Sequence, residues 1–483
     1  MKKISAYLLL VLMLVGNGRL PAFAQAPGAE VLIKNGTVLT ASHGTLANTD
    51  ILIKNGKIAQ IGKGLTAGAG AQTFDATGKY VSPGIIDAHS HLMLDAINEG
   101  TLSVTSMTRI RDVLNTTDMG IYRALAGGTT GANLLHGSAN SIGGQNATVK
   151  FKWGKPVEDF LIKDAPPGIK FALGENPRGT NNANVPGRTQ RYPHTRQGVQ
   201  ETDRDALIAA RDYKKTWDDY RAKVAKGDKT AIPPRRDIQM EPLVEILEGK
   251  RLVHAHGYRS DEHLNLLLLA DEMGFRVGTL QHTLEGYKIA PEIAKRGTGA
   301  SIFADYGQYK LESFDTIPYN AYIMWKAGVV VSINSDDDGR IRRLNTEAAK
   351  VMKYGPVPEE EALKMVTLNP AKQLGIDKRT GSIDVGKDAD LVIWSGHPFS
   401  IYSHAETTMI EGEVYFDRAK DIANRGALAK EREELEKLDI NRAPGTGGAP
   451  PRIPTEHRVT DKDKGVGDDE VGDDVIHNNG GNK

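Results

Sequence analysis

The sequence predicts an α/β protein: a distorted (β/α)8 barrel of the TIM type, with a small β-sandwich built from both chain ends. Three observations predict this fold. Apolar strand-like segments alternate with helix-like segments over about 300 residues, which is typical of parallel β/α units. Short β segments with tight turns lie before and after that region. Several of the strand-like segments end in His or Asp, where a barrel carries its reactive side chains.

The composition is that of an ordinary globular protein. The chain has 483 residues, of which 39% are hydrophobic and 25% are charged, and its formal net charge is zero. This balance gives no reason to expect nucleic acid as a partner. The chain has no Cys, which excludes disulfides and thiolate metal ligands. Any metal site therefore has to use His, Asp, Glu or a modified Lys.

Residues 1–24 have the pattern of a signal peptide. The positive charge of "MKK" is followed by the apolar run "ISAYLLLVLMLVG" and by an A-x-A cleavage signal, Ala22-Phe23-Ala24. The apolar run is short for a membrane span. We therefore expect an exported protein, periplasmic or secreted, that begins at Gln25 and has no membrane span in its mature form. An uncleaved N-terminal anchor is the alternative.

Residues 25–82 and 381–417 predict the two parts of the β-sandwich. The first part contains "VLIKNGTVLT" and "DILIKNGKIAQIG", and Asn-Gly between apolar alternations is a hairpin signal. The second part contains "GSIDVGKDADLVIW" and "TTMIEGEVYFD". The two parts enclose residues 83–380, which we expect to form the barrel.

The barrel region contains seven clear strand candidates: "GIIDAH", "TTGANLL", "GIKFAL", "RLVHAH", "RVGTLQ", "ASIFA" and "VVVSINS". Helix candidates such as "SDEHLNLLLLADEMG" and "PEIAKRG" lie between them. An open doubly wound sheet is the alternative fold. That fold usually has a Gly-rich phosphate turn after its first strand, where this chain has "HSH".

Three polar segments complete the organisation. Residues 176–240 predict an insertion that contains the charged helix "TDRDALIAARDYKKTWDDYRAKVAKG". Residues 418–440, rich in Lys and Glu, predict a second exposed helix. Residues 441–483 contain mostly Gly, Pro, Asp and Asn with few apolar residues, so we expect a disordered tail.

The ends of the predicted strands carry side chains that bind metals. His89 and His91 are two residues apart and therefore lie on one face of a strand. Such a pair alone is a weak signal, because a His on an apolar face is usually a core residue. Further candidates at other strand ends strengthen it, and they are His254, His256, His282 and Asp336. Together they predict a site for a divalent metal.

These motifs resemble the metal-dependent amidohydrolase superfamily, and within it the imidazolonepropionase-like branch. The resemblance is carried by "GIIDAHSHL", "HTLEGYKIA", "VVVSINSD", "TLNPAKQLGI" and "GSIDVGKDADLVIW", and it covers nearly all of residues 30–417. It implies a distorted barrel, a β-sandwich made from both chain ends, and one or two divalent metal ions, usually zinc. It also implies hydrolysis of C–N bonds by metal-activated water.

The resemblance also implies roles for individual residues. The metal ligands would be His89, His91, His256, His282 and Asp336, with His254 as a neighbour on the same face as His256. Asp336 would be the general base, and His256 or His282 would polarise the substrate carbonyl. We expect the two acidic residues that follow Asp336 to form a solvated turn.

The fourth barrel strand of this superfamily usually supplies an anionic ligand, and "PGIKFALGEN" offers two candidates. Lys170 would serve after reaction with carbon dioxide to a carbamate, whereas Glu175 needs no modification. Strand alternation places the two on opposite faces. Phe171 and Leu173 have the character of a layer packed against helices, which favours an inward Lys170. The "IK" step is also similar to that of dipeptidases with a modified lysine. Glu175 is the alternative, or a partner of Lys170.

We therefore expect a hydrolase that cleaves amide or cyclic amide bonds of small molecules, with no nucleic acid partner. A metallodipeptidase acting on short peptides is one alternative, with Arg259, Arg340 and Arg342 as candidates for binding the substrate carboxylate. A non-catalytic exported metal-binding protein is another. Assembly into a homo-oligomer is left open.

A Gly/Ser segment, "GSANSIGGQ" at residues 137–145, has two interpretations. Its backbone N–H groups either bind an anionic group of the substrate or belong to a flexible turn. His136, directly before it, is interpreted as part of the pocket wall and not as a metal ligand.

Overall fold

The computed structural model describes residues 30–178 and 191–440. The predicted signal peptide and the predicted tail lie outside these ranges, as does part of the predicted insertion. Within these ranges, no helix combines the length and the apolar composition of a membrane span.

An eight-stranded sheet combines strands from both ends of the described chain. The strands are β1 (Val31–Leu39), β2 (Thr45–Lys54), β3 (Lys57–Gly62), β4 (Gln72–Asp75), β5 (Tyr80–Pro83), β15 (Leu391–Trp394), β16 (Ala405–Ile410) and β17 (Glu413–Asp417). Their order is β17-β16-β15-β5-β1-β2-β3, and β4 pairs with β1. Antiparallel pairing of β5 with β15 joins the two halves, and the sheet encloses its own apolar core, which includes Ile33, Ile51 and Ile393.

The two "KNG" steps have different structures. The second forms the predicted hairpin between β2 and β3, and Asn55 and Gly56 have φ angles of 52° and 76°. The first lies inside β1, where the register with β2 shifts between Ile33 and Gly36. Asn35 is at φ 59°, and its backbone N–H donates to Asp50 Oδ1 at 2.8 Å. The prediction of a hairpin at this first step was wrong, because an irregularity within one strand uses the same residues.

The second group of strands forms the α/β part of the molecule. These strands are β6 (Ile85–Ser90), β7 (Thr129–Leu134), β8 (Ile142–Gln145), β9 (Ala147–Lys150), β10 (Gly168–Ala172), β11 (Leu252–His256), β12 (Val277–Gln281), β13 (Gly299–Ile302) and β14 (Val331–Ile333). Strands β10 to β14 are parallel neighbours, and β6 is parallel to β7. Each of the seven predicted strands has a counterpart here.

The strands of this part fall into two sheets and not into one closed ring. A six-stranded sheet has the order β14-β13-β12-β11-β10-β8, and a three-stranded sheet has the order β6-β7-β9. The two sheets meet where the backbone N–H of Asp336 donates to the carbonyl of His89 at 3.2 Å. Short antiparallel strands, β8 and β9, lie where a third parallel strand is expected. The predicted fold class is confirmed, with a distortion at this position.

Helices separate the parallel strands and pack on them around the largest apolar core. The helices are Met119–Ala126, Val157–Phe160, Arg196–Ala225, Met240–Leu247, Ser260–Met273, Gly286–Lys295, Asn320–Lys326, Leu344–Tyr354, Glu359–Lys364, Leu368–Gln373 and Arg418–Ile440. Short 3-10 helices lie at Ile110–Val113, Leu311–Ser313 and Ile341–Arg343. Helix Ser260–Met273 ends at Gly274, whose φ of 78° suits a glycine at this position.

A buried ion-pair network connects the α/β part to the eight-stranded sheet. Lys150 Nζ lies 2.6 Å from Asp388, 2.9 Å from Asp390 and 3.0 Å from Glu411. Burial alone would lower the pKa of Lys150, but these three carboxylates raise it above its ordinary range. Arg379 also pairs with Asp388, at 2.6 Å. Because each charge has an opposite partner, the network holds the two parts in a fixed relation.

Candidate metal centre

Five of the predicted site residues converge on one point of the molecule. His89 lies near the end of β6 and His91 just after it. Lys170 lies within β10, His282 directly follows β12, and Asp336 follows β14. All except His91 are buried almost completely. The carboxyl ends of the strands therefore bring together residues that are far apart in the sequence.

The carboxylate of Asp336 is at the centre of this cluster. Its Oδ1 lies 3.4 Å from Nε2 of His89 and 3.2 Å from Nε2 of His91, and its Oδ2 lies 3.5 Å from Nε2 of His282. Lys170 Nζ lies 3.2 Å from Nε2 of His89. One ligand atom from each of His89, His282 and Asp336 lies within 4.8 Å of the others, so that a single ion can bridge them.

The two histidines of β11 occupy different depths. The ring of His256 lies 5.0 Å from the ring of His282, centroid to centroid, which places it beside the cluster. His254 is in register with Lys170 on β10, and its Nε2 lies 2.8 Å from where a Cβ on Gly168 would be. The structure thus brings His256 to the carboxyl-end face and leaves His254 deeper between the strands.

The structure also separates the two candidates from the fourth barrel strand. Lys170 lies in the cluster, whereas Glu175 follows a turn at Gly174, whose φ is 82°. The carboxylate of Glu175 lies 3.8 Å from Arg196 Nη2 and 3.7 Å from Lys310 Nζ. Glu175 therefore belongs to an ion-pair group with Arg196 and Lys310, whereas Lys170 lies with the histidines.

Burial favours the neutral form of His89 and of His254. Burial, followed by the nearby Lys170, holds the pKa of His89 well below its usual range. The same two causes lower the pKa of His254 to about 4. A neutral imidazole is the form that binds metal ions.

Contacts on the far side of two histidines fix their orientation. Nδ1 of His91 lies 2.8 Å from the backbone carbonyl of Leu135, and Nδ1 of His89 lies 3.3 Å from Oε1 of Gln281. Each contact leaves Nε2 directed toward Asp336, an arrangement common in metal sites. The sequence analysis missed both. Gln281 is detectable in principle, because it ends the predicted strand "RVGTLQ" and directly precedes His282, but a backbone carbonyl has no sequence signal.

Asp87 connects the two strands that carry Asp336 and His89. Its Oδ1 accepts from the backbone N–H of Ser335 at 3.0 Å and of His89 at 3.2 Å, and its Oδ2 accepts from the Ser335 hydroxyl at 2.5 Å. Burial raises the pKa of Asp87 to about 7, against the opposing effect of these hydrogen bonds. The sequence analysis gave this residue no role, although it stands two positions before His89.

Two cluster residues have unusual backbone angles. His282 has a φ of 56° and Asp336 a φ of 45°, in the left-handed region that side-chain-bearing residues rarely adopt. Such a conformation costs about 1–3 kcal/mol and persists only where the surroundings enforce it. This backbone conformation directs both side chains into the cluster just after their strands have ended.

The segment "GSANSIGGQ" is not a flexible turn. Its last residues form β8, and all its residues but two are buried. Gly143 and Gly144 pack against the ring of His136, with no room for a Cβ between them. Nε2 of His136 accepts from the backbone N–H of Glu99 at 2.8 Å. The interpretation as a flexible turn was therefore wrong, because this segment is part of the packed interior, whereas binding of an anionic group by its backbone stays a prediction.

The donor set fits a divalent cation. Imidazoles and a carboxylate, gathered close to one another at mostly buried positions, suit zinc and related metals. The fold therefore places a candidate site for a divalent metal at the carboxyl ends of parallel strands.

Comparison with known proteins identifies the family. The model for "Amidohydrolase family" matches residues 319–422. A solved amidohydrolase from Thermotoga maritima MSB8 is 34% identical with a TM-score of 0.73, and the alignment covers 80% of this chain and all of that one. The chain belongs to the amidohydrolase family, whose members are hydrolases acting on C–N bonds. This membership favours an enzyme over a non-catalytic metal-binding protein.

Other relatives are more distant or differ in length. Amidohydrolase tasK of Hapsidospora irregularis is 30% identical over 371 residues, which are 71% of this chain and 37% of that protein. The chain thus matches little more than a third of the length of this curated relative. A prolidase structure with 18% identity and a TM-score of 0.51 covers 81% of this chain and shares the fold.

Proposed function

We propose that this protein is an exported, metal-dependent hydrolase that cleaves amide or cyclic amide bonds of small molecules. One observation carries the proposal: three histidines from two strand ends, His89, His91 and His282, lie within 3.5 Å of the carboxylate of Asp336, which follows a third strand. A purely structural core would not gather four titratable groups in this way, because unpaired buried charges destabilise a fold. Zinc is the proposed metal, since imidazole and carboxylate ligands suit it.

Lys170 is the proposed anionic ligand, as a carbamate. Its Nζ is fully buried and lies 3.2 Å from a histidine nitrogen. A metal ion bound beside Lys170 would repel the side chain in its charged ammonium form. Reaction of the neutral amine with carbon dioxide forms a C–N bond and releases one proton, which converts the side chain into an anion. The position of Glu175 beside Arg196 and Lys310 supports Lys170 as the ligand.

The catalytic step follows from the positions of the side chains. A divalent cation would be held by His89, His91, His282, Asp336 and the carbamate of Lys170, and it would supply Lewis-acid activation of water and of the substrate carbonyl. Asp336 accepts the proton of the attacking water at its carboxylate, while the water oxygen forms a bond to the carbonyl carbon. Asp336 then delivers that proton to the nitrogen as the C–N bond breaks. His256 and His282 lie together beside this point and polarise the carbonyl oxygen.

Export is supported by the sequence pattern of residues 1–24 alone. The charged start, the apolar run and Ala22-Phe23-Ala24 are the three parts of a signal peptide. A protein processed at this signal begins at Gln25.

One experiment tests export and hydrolysis on the same sample. The protein is isolated from the exported fraction of its native host, its N-terminus is sequenced, and it is assayed on dipeptides, N-acyl amino acids and cyclic amides. We expect a start at Gln25 and turnover of at least one class, lost with a chelator and restored by zinc. Intact Met1 in a cytoplasmic fraction would refute export. Turnover that survives complete metal removal would refute the proposed chemistry.

A further inference from the structure

Three arginines were candidates for binding a carboxylate of the substrate, and their surroundings differ. The guanidinium of Arg259 forms a bidentate pair with Asp261, at 3.0 and 2.9 Å, and is thereby satisfied. Arg342 is exposed, and its Nε donates to the backbone carbonyl of Gly339. Arg340 is half-buried, and among the described residues no carboxylate pairs with its guanidinium. Of the three, Arg340 alone combines partial burial with an uncompensated charge.

Arg340 is fixed in place next to the metal centre. It lies four residues after Asp336, and its Nε donates to the backbone carbonyl of Ser335 at 3.0 Å. Oδ1 of Asp337 accepts from the backbone N–H groups of Gly339 and Arg340, at 2.8 and 2.6 Å. The loop that carries the proposed general base therefore also carries this arginine, in one defined conformation.

Two aromatic rings pack against the guanidinium of Arg340. Its central carbon lies 4.1 Å from the ring centroid of Tyr306 and 5.0 Å from that of Phe303. The ring of Phe303 in turn stacks on His282, with centroids 4.9 Å apart and planes at 27°. Arg340 is thus separated from a metal-centre histidine by a single aromatic ring.

The nearby acidic groups have other partners. Asp305, next to Tyr306 in sequence, pairs with Lys350 at 2.8 Å. Oδ1 of Asp337 is engaged with backbone N–H groups, as described above. A guanidinium has five N–H donors, of which the carbonyl of Ser335 occupies one. The two aromatic rings contact the faces of the guanidinium, so its remaining N–H donors point along its edge. A carboxylate is the planar acceptor that fits this edge with two hydrogen bonds.

We propose that Arg340 is a specificity-determining residue that binds a carboxylate of the substrate. The substrates are then amides that carry a carboxylate close to the scissile bond, such as dipeptides, N-acyl amino acids or carboxylated cyclic amides. This inference rests on the proposed hydrolysis of C–N bonds. Amides without a negative charge would be poor substrates, since they would leave a half-buried cation without a partner.

Matched pairs of probes test this role. Dipeptides and N-acetyl amino acids are compared with the same compounds carrying a carboxamide in place of the carboxylate. We expect wild type to prefer the acids by about 10–100-fold in kcat/KM, the range for a charge-assisted hydrogen-bonded pair. Arg340→Met should remove this preference, chiefly by slowing the acids. Arg340→Lys, which keeps the charge but not the fork, should restore part of it.

Arg342→Met is the matched control, because it removes an exposed arginine two positions away and should preserve the preference. A circular dichroism spectrum and a metal content equal to those of wild type show that Arg340→Met is folded and loaded with metal. If that variant does not fold, calorimetric titration of the same acids into Asp336→Asn and into Asp336→Asn with Arg340→Lys measures the loss of affinity without turnover. Equal affinities in those two proteins would overturn the proposal.

The outcomes separate this inference from the proposed function. If wild type hydrolyses acids and carboxamides equally well, Arg340 does not bind a substrate carboxylate, while the C–N hydrolase assignment stands. If no compound of either kind is hydrolysed by the metal-loaded protein, the proposed function fails and the inference fails with it.

Discussion

Asp336→Asn is expected to reduce kcat by about 10²–10⁴-fold, the usual contribution of a positioned general acid–base group. The reason is the position of the carboxylate, within 3.5 Å of three histidine Nε2 atoms. Asparagine keeps an oxygen at that point but cannot accept and return a proton. The substitution should leave the fold intact and most of the bound metal in place, because the histidines and Lys170 remain. Single-turnover and steady-state assays, with metal analysis of the same sample, measure both effects.

Asp337→Asn is the matched control for this substitution. An asparagine oxygen can still accept from the two backbone N–H groups that Asp337 Oδ1 holds, so activity should stay within a few-fold of wild type. If Asp336→Asn retained a near wild-type rate, the proton transfer would belong to another group and Asp336 would be at most a metal ligand.

Lys170→Ala is expected to reduce activity by more than about 100-fold, because loss of groups that merely orient a ligand already costs about 10–100-fold. The substitution opens a small space in a fully buried position. Formate, acetate or propionate should enter that space and restore part of the activity and of the metal content, since each provides the carboxylate that the carbamate supplied. The measurement is rate and bound metal as a function of the concentration of added acid.

Glu175→Gln separates the two fourth-strand candidates. Its carboxylate faces Arg196 and Lys310, so we expect metal content close to that of wild type and no response to added acids. Unchanged activity of Lys170→Ala without any additive would exclude Lys170. Loss of metal in Glu175→Gln would then assign the ligand to Glu175.

Much of the fold was predictable because its signals are periodic. Apolar runs of strand length, separated by helical segments, gave all seven predicted strands of the α/β part to within a few residues. The hairpin at Asn55-Gly56 followed from turn chemistry. The same chemistry misled at Asn35-Gly36, where only the pairing with β2 decides between a turn and an irregular strand. Strands β8 and β9 were missed, because each has only four residues and β8 contains two glycines, so that packing around them and not their own pattern decides their structure.

In the candidate site, too, some features could be predicted from the sequence and others depend on tertiary contacts. Strand ends with His and Asp could be read from sequence, since strand geometry makes their convergence predictable. The role of Asp87 as a connection between β6 and Ser335 could not be read from sequence. It depends on the contact between the first and last strands of the α/β part. The aromatic contacts of Arg340 likewise depend on where the loop after β13 folds. The number and identity of neighbours across a loop have no periodic signal.

The central claim is that this cluster binds the catalytic metal, and elemental analysis of the purified protein tests it most directly. Wild type should contain one or two equivalents of zinc or another divalent metal per chain. The double substitution of His89→Ala and His91→Ala should lose that metal together with the activity, while circular dichroism shows that the fold persists. Metal content in this variant equal to that of wild type would contradict the account, because His89 and His91 would then be structural residues.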